Sequence, residues 1–142
     1  MSVNFINAKG EELDREGALR MNLTAATSIS GVIRSNVGPK GTEKMLVGGA
    51  GQVKITKDGN VLLHEMSIIH PTAQMIARAA TAQDDTVGDG SSSNVLFIGE
   101  LFMQSFRYVT EGIHVSQLVD GIELAKKKVW NFWRNADISL KK

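Results

Sequence analysis

The chain has 142 residues, 42% apolar and 22% charged, with a formal net charge of +1 and no cysteine. That is enough chain for one domain with its own core. Near-neutrality argues against an electrostatically driven nucleic-acid binder, and the lack of cysteine excludes a disulfide scaffold and a thiolate metal site. No apolar run approaches the ~20 residues that span a bilayer. The opening residues, from Met1 to Asn7, lack the basic and apolar segments of a signal peptide. The composition is compatible with a reducing cytosol, and neither nucleic acid nor membrane is expected as a partner.

Residues 1–10 are short and partly apolar, which suits an edge strand around Val3 and Phe5. Over residues 14–34, apolar side chains recur at Ala18/Leu19, Leu23, Ala25/Ala26, Ile29 and Val32/Ile33. This spacing predicts a helix, and Gly38-Pro39 cannot continue it. Met45-Leu46-Val47 and Val53-Lys54-Ile55-Thr56 flank a glycine-rich stretch and predict a hairpin. A lone hairpin is marginal in water, so it should pair with something else. Lys57-Asp58-Gly59-Asn60 reads as a turn, and residues 61–66 as a short helix or apolar turn. Pro71 suits the first position of the next helix, where Ala73, Ile76, Ala77 and Ala80 permit close packing. Residues 83–90 read as a loop carrying Asp84, Asp85 and Asp89.

The helix after that loop should run to about Thr110, with Val95, Ile98, Phe102, Phe106 and Val109 on one face, and end at Gly112. A last helix, from about Ser116 to Arg134, has an inner stripe of Leu118, Ile122, Ala125, Val129 and Phe132/Trp133. Trp133 is expected in the core. Lys126-Lys127-Lys128 reads as a solvated helix face rather than a binding patch. His64, His70 and His114 lack metal-ligand spacing and have no obvious partner. The expectation is a mainly α single domain, 1–142, with a small hairpin inserted early.

Three glycine-rich segments suit contact with phosphate: Asn36-Val37-Gly38-Pro39-Lys40-Gly41, Lys57-Asp58-Gly59-Asn60 and Gly88-Asp89-Gly90-Ser91-Ser92-Ser93. The third has the look of a loop feeding a helix N-terminus, where unpaired N–H groups and the helix dipole can hold an anion. Asp89 could hold a magnesium ion, with phosphate oxygens completing the coordination. Each segment alone is more often a plain turn or helix cap; three in one domain shift the balance. Known phosphate loops do not fit. Gly38-Pro39-Lys40-Gly41-Thr42 lacks the Walker spacing, no dinucleotide Gly-x-Gly-x-x-Gly follows a strand, and an EF-hand begun at Asp85 would meet Leu96 where it needs an acid.

The order of these segments, with Lys44-Met45-Leu46-Val47 and Ala82-Gln83-Asp84-Asp85-Thr86-Val87-Gly88-Asp89-Gly90 between and around them, resembles group II chaperonin subunits of the TCP1 family. Within that family, Val61-Leu62-Leu63-His64-Glu65-Met66 through His70-Pro71-Thr72-Ala73 is most similar to zeta-type subunits. The resemblance spans essentially the whole chain and keeps motif order and spacing. It implies a chaperonin equatorial-domain-like bundle of long helices with a small β-hairpin, incomplete at the C-terminal side. Subunits of the family are several times longer and add intermediate and apical domains, which have no counterpart here. It further implies a cytoplasmic, ATP-dependent chaperone that works as a hetero-oligomeric double ring with other chaperonin subunits. Unfolded client proteins would be held by the missing apical domain.

The resemblance also implies residue roles. Gly38 and Pro39 would lie against the phosphates of ATP or ADP, Asp89 would bind Mg2+, and Gly90, Ser91, Ser92 and Ser93 would wrap the phosphates. Asp58 would sit near the γ-phosphate and orient the attacking water. The hairpin around Gly49 would pair with a terminal strand of a neighbouring subunit. The family's second acid, from the intermediate domain, is absent, so the implication is nucleotide binding with little turnover. Two departures stand out. Serines replace the family's usual threonines after Gly-Asp-Gly, which keeps the hydroxyls, and Val115 follows His114 where proline is usual. An alternative is a stand-alone shortened paralogue, acting as a nucleotide-binding or interaction module without hydrolysis.

Overall fold

Asp14 opens the first helix by accepting the Gly17 N–H on its Oδ1 at 2.8 Å, which satisfies one of the donors every helix start leaves over. The computed structural model describes residues 13–140; the edge strand expected near Val3 and Phe5 lies outside the described residues. Helix α1 covers Arg15–Arg34. It is followed by β1 (Lys44–Val47), β2 (Val53–Thr56), α2 (Gly59–Glu65), α3 (Pro71–Val87), α4 (Ser91–Thr110) and α5 (Val115–Leu140). The fold is therefore mainly α with one antiparallel hairpin, as the sequence implied.

The described chain divides into two compact units, one up to Met103 and the other from Gln104, so α4 contributes to both. In the first unit the core is built from small and branched side chains. Ala26, Ile29 and Ile33 come from α1, Leu62 and Leu63 from α2, Ala73, Ile76 and Ala80 from α3, and Val95 from α4. Their three- and four-residue spacing on α1 and α3 is what places them on one stripe. Pro71 stands in the first turn of α3, and the His70 Nδ1 accepts the Thr72 N–H at 3.2 Å. At the other end Gly88 takes a left-handed φ of +75° and returns its N–H to the Asp84 carbonyl at 2.7 Å.

That stop lies later than the sequence suggested. Residues 83–87 are the last turn of α3, not a loop. No glycine or proline interrupts the chain before Gly88, and Asp84 finds a side-chain partner described below, so nothing there breaks the helix.

The hairpin pairs Lys44 with Thr56, Met45 with Ile55, Leu46 with Lys54 and Val47 with Val53. Leu46 packs on the core. The other face carries Met45, Val47, Val53 and Ile55, each 59–65% exposed. Alternation along a strand puts all four on one side, so the hairpin presents two apolar cross-strand pairs to solvent.

In the second unit Gly112 (φ +103°) ends α4, with the Ile113 N–H returning to the Tyr108 carbonyl at 3.1 Å. His114 then opens α5 by accepting the Ser116 N–H on Nδ1 at 3.2 Å. Helix α5 runs beyond Arg134, because no glycine or proline follows to stop it. Trp133 is 68% exposed rather than in the core, and Val129, Trp130 and Phe132 are exposed beside it. Along the predicted inner stripe Leu118 and Ile122 are half-buried, whereas Ala125, Val129, Phe132 and Trp133 are exposed. Lys126 is paired with Glu123 on the solvated face at 2.9 Å, and its hydrogen bond and charge hold the Glu123 carboxyl below the usual range.

Where α1 crosses α4 the backbones approach closely. A Cβ added to Gly99 would collide with the Ser30 Oγ and lie 2.6 Å from the Ser30 Cβ. The Ser30 hydroxyl meanwhile donates to the Val95 carbonyl at 3.2 Å. Gly99→Ala should therefore lower the unfolding free energy by about 1–3 kcal/mol, despite the ~1 kcal/mol that alanine gains over glycine in a helix. Gly31→Ala, with nothing within 4 Å of the new Cβ, should instead be neutral or stabilising by up to ~1 kcal/mol. Urea denaturation of the two variants gives the comparison; equal stabilities would refute the crossing.

Candidate functional site

The start of α4 is shaped by the three residues before it. After the left-handed Gly88, Asp89 turns back on itself and its Oδ1 accepts the Gly90 N–H at 2.6 Å. Gly90 takes φ +82°, and its carbonyl accepts the Asn94 N–H at 2.9 Å, the first bond of the helix. The N–H groups of Ser91, Ser92 and Ser93 thus have no acceptor within the helix. Ser91 is buried, Ser92 half-buried and Ser93 exposed, while the Asp89 side chain stands at the surface.

The Asp58 turn packs directly on this helix start. Asp58 caps α2, its Oδ1 accepting from the Asn60 N–H at 2.7 Å and the Val61 N–H at 3.2 Å. Its own N–H donates to the Thr56 hydroxyl at 3.1 Å. Gly59 then meets α4 so closely that a Cβ would collide with the Ser92 Oγ and lie 3.2 Å from its Cβ and 3.3 Å from its Cα. Only glycine fits there.

The loop after α1 joins the same corner through Asn36. This residue is 3% exposed and donates from Nδ2 to the Lys57 carbonyl at 3.4 Å, one residue before Asp58. Its Oδ1 is buried and accepts no protein hydrogen bond. Gly41 closes the loop by donating to the Gly38 carbonyl at 3.0 Å, and the Thr42 N–H returns to Ser35 at 2.8 Å. Gly38 has φ +93° and, with Pro39, faces solvent. The three glycine-rich segments are thus linked in sequence order of contact: 36–41 to Lys57, and Gly59 to Ser92.

Sequence reasoning missed the groups that hold these loops in place. The Asn60 Nδ2 donates to the Asp84 Oδ2 at 2.7 Å, and the Thr81 hydroxyl lies 3.1 Å from the Asn60 Oδ1 and 3.3 Å from the His64 Nε2. The Gln83 Nε2 reaches the Asp89 carbonyl at 3.4 Å. Continuing the α3 periodicity past Ala80 would have put Thr81 and Asp84 three residues apart on a helix face, and that was the available signal. All three histidines also have partners: His70 and His114 as helix caps, His64 at Thr81.

Among the described residues no group of three His, Asp or Glu side chains could hold a metal. A bare ion is therefore a poor fit. An ion already coordinated by phosphate fits better, since magnesium commonly takes one or two carboxylates and fills its remaining positions from phosphate and water. Asp89 has one oxygen on Gly90 and one with no protein donor among the described residues.

Asp58 has two separable properties, a cap acceptor and a charge. Asp58→Ala should cost about 1–2 kcal/mol of stability through the lost cap, whereas Asp58→Asn, which keeps an acceptor, should cost only a few tenths. Thermal unfolding of both variants reads this; a similar loss in each would show that charge rather than capping matters there.

The comparisons with known proteins come down on one family. The model of the TCP-1/cpn60 chaperonin family matches residues 29–142. The human T-complex protein 1 subunit zeta-2 is 54% identical over 127 residues, which cover 89% of this chain but 24% of that protein. A crystal structure of a group III chaperonin in the open state superposes with a TM-score of 0.74 at 34% identity, covering 78% of this chain and 22% of that one. The chain thus spans about a quarter of the length of these relatives. It belongs to the TCP-1/cpn60 chaperonin family, as a zeta-type member of its group II branch.

Proposed function

We propose that this chain is the N-terminal half of the ATP-binding equatorial domain of a cytoplasmic chaperonin subunit, one of a hetero-oligomeric ring that folds proteins such as actin and tubulin. The observation that carries the reading is the meeting of three glycine-rich loops at the start of α4, where Gly59 lies against Ser92 and Asn36 bonds the chain before Asp58. On this reading the phosphates of ATP or ADP lie over the first turn of α4. Gly90, Ser91, Ser92 and Ser93 supply N–H groups and hydroxyls, and Gly38 and Pro39 bound the other side.

Asp89 would hold Mg2+, which when bound neutralises phosphate charge and fixes the polyphosphate geometry. Asp58 would orient a water toward the terminal phosphate with the carboxylate oxygen that its cap leaves over. Its Oδ1 already serves two backbone N–H groups. A single acid so engaged supports binding and positioning better than fast proton removal, so turnover by this chain should be slight.

The apolar faces fit a role inside a larger assembly. Met45, Val47, Val53 and Ile55 on the hairpin, and Val129, Trp130, Phe132 and Trp133 on α5, are exposed. On this reading the hairpin takes a strand from a neighbouring subunit, and the helices meet the C-terminal half of the equatorial domain. Unfolded clients would be bound elsewhere, on the apical domain of the assembled subunit.

Two measurements test the reading. Calorimetric titration should show Mg-ADP binding that Asp89→Ala weakens at least about tenfold, with no comparable binding of Mg2+ alone; an unchanged affinity in the variant would remove Asp89 as the ligand. A hydrophobic dye should bind the isolated chain, and the chain should self-associate. A dye-silent monomer would contradict the assembly reading.

A further inference from the structure

Two neighbouring residues of α3, Gln83 and Asp84, hydrogen-bond to the two loops that carry the carboxylates of the proposed site. In the first loop the Asp58 Oδ1 accepts the Asn60 N–H at 2.7 Å. The Asn60 side chain is engaged at both its nitrogen and its oxygen. Its Nδ2 donates to the Asp84 Oδ2 at 2.7 Å, and its Oδ1 faces the Thr81 hydroxyl at 3.1 Å. The Thr81 hydroxyl has one proton and three neighbours: Asn60, the Ala77 carbonyl at 3.1 Å and the His64 Nε2 at 3.3 Å. If His64 donates from Nε2, the hydroxyl proton is left for an acceptor, and Asn60 is one of the two available. With its nitrogen on the Asp84 oxygen and its oxygen toward the Thr81 hydroxyl, the amide meets two residues of α3 in one orientation.

At the far end the same helical turn holds the backbone of the loop that carries Asp89. The Asp84 carbonyl accepts the Gly88 N–H at 2.7 Å, and the neighbouring Gln83 donates to the Asp89 carbonyl at 3.4 Å. Consecutive residues of a rigid helix thus hold the Asp58 turn and the Asp89 loop. Asn60, Thr81, Gln83 and Asp84 are all partly buried, where such bonds are stronger than in open water.

We propose that Asp84, acting through Asn60, is a positioning residue that sets the separation between Asp58 and Asp89 and thereby the affinity of the corner for a metal-bound nucleotide. The proposal rests on the nucleotide reading given above. It assigns a role to side chains that touch neither metal nor phosphate. Losing the clamp lets the Asp58–Asn60 turn drift relative to α4, and the cost appears where two loops must grip one ligand.

The test is calorimetry of the full chain with Mg-ADP, and with ADP in the presence of a chelator. Asp84→Ala should weaken Mg-ADP binding about tenfold and metal-free ADP much less, a split that general destabilisation would not produce. Asp84→Asn, which keeps a neutral acceptor, should lose less. Asn60→Asp sets two carboxylates face to face and should weaken binding at least as much as Asp84→Ala. Asn60→Asp combined with Asp84→Asn exchanges donor and acceptor, and should return to within about threefold of wild type, since the pair is coupled. Wild-type affinity in Asp84→Ala, or a double variant no better than Asn60→Asp alone, overturns the positioning role. A wild-type chain that binds no Mg-ADP overturns the nucleotide reading, and this proposal with it.

Discussion

The backbone of Gly59 and the side chain of Ser92 occupy neighbouring space that no added carbon could share. This contact seats the first turn of α2 against the first turn of α4 and joins the second and third glycine-rich loops. A larger residue at position 59 would have to push α4 away, and with it Val95, which is fully buried one turn along. The core and the candidate site are therefore not independent. The same helix that packs Val95 against α1 presents its unpaired N–H groups beside Asp58.

The two acids before α2 and α4 are held locally. Asp58 and Asp89 each use one carboxylate oxygen on nearby backbone N–H groups, at 2.7 Å and 2.6 Å. An acid held in this way cannot swing freely, so its remaining oxygen is offered in a restricted direction. At Asp58 that restriction comes from helix initiation, and at Asp89 from the turn before α4.

Apolar surface is exposed on both units of the described chain. A hairpin that buries only Leu46 against the core, and a long α5 with two exposed tryptophans, leave much hydrophobic area in water. Family membership gives this a physical context, since the relatives are about four times longer. The buried core of the first unit is small by comparison: alanines and branched aliphatics from four helices close around Ile33, Leu62 and Val95, while the hairpin, Ile69, Met75 and Phe97 of the same unit stay exposed.

Local signals in the sequence specified α1, the hairpin and α4 closely, but placed the ends of α3 and α5 five or six residues early. Asp14, Pro71, Gly88 and Gly112 act within one turn of themselves, and the hairpin register follows from alternation and a short glycine-rich loop. The three loops were also legible as phosphate-like motifs, because glycine next to acid and hydroxyl is a composition that can be read off directly. What could not be read was which side chains tie them together. Asn36 meets Lys57 across 21 residues, Asn60 meets Asp84 across 24, and Ser30 meets Val95 across 65. Such pairs form only after helices dock, and neither partner carries a local pattern that names the other. Trp133 fails as a core residue for the same reason: an amphipathic stripe states that a face is apolar, and only the surrounding chain decides whether anything covers it.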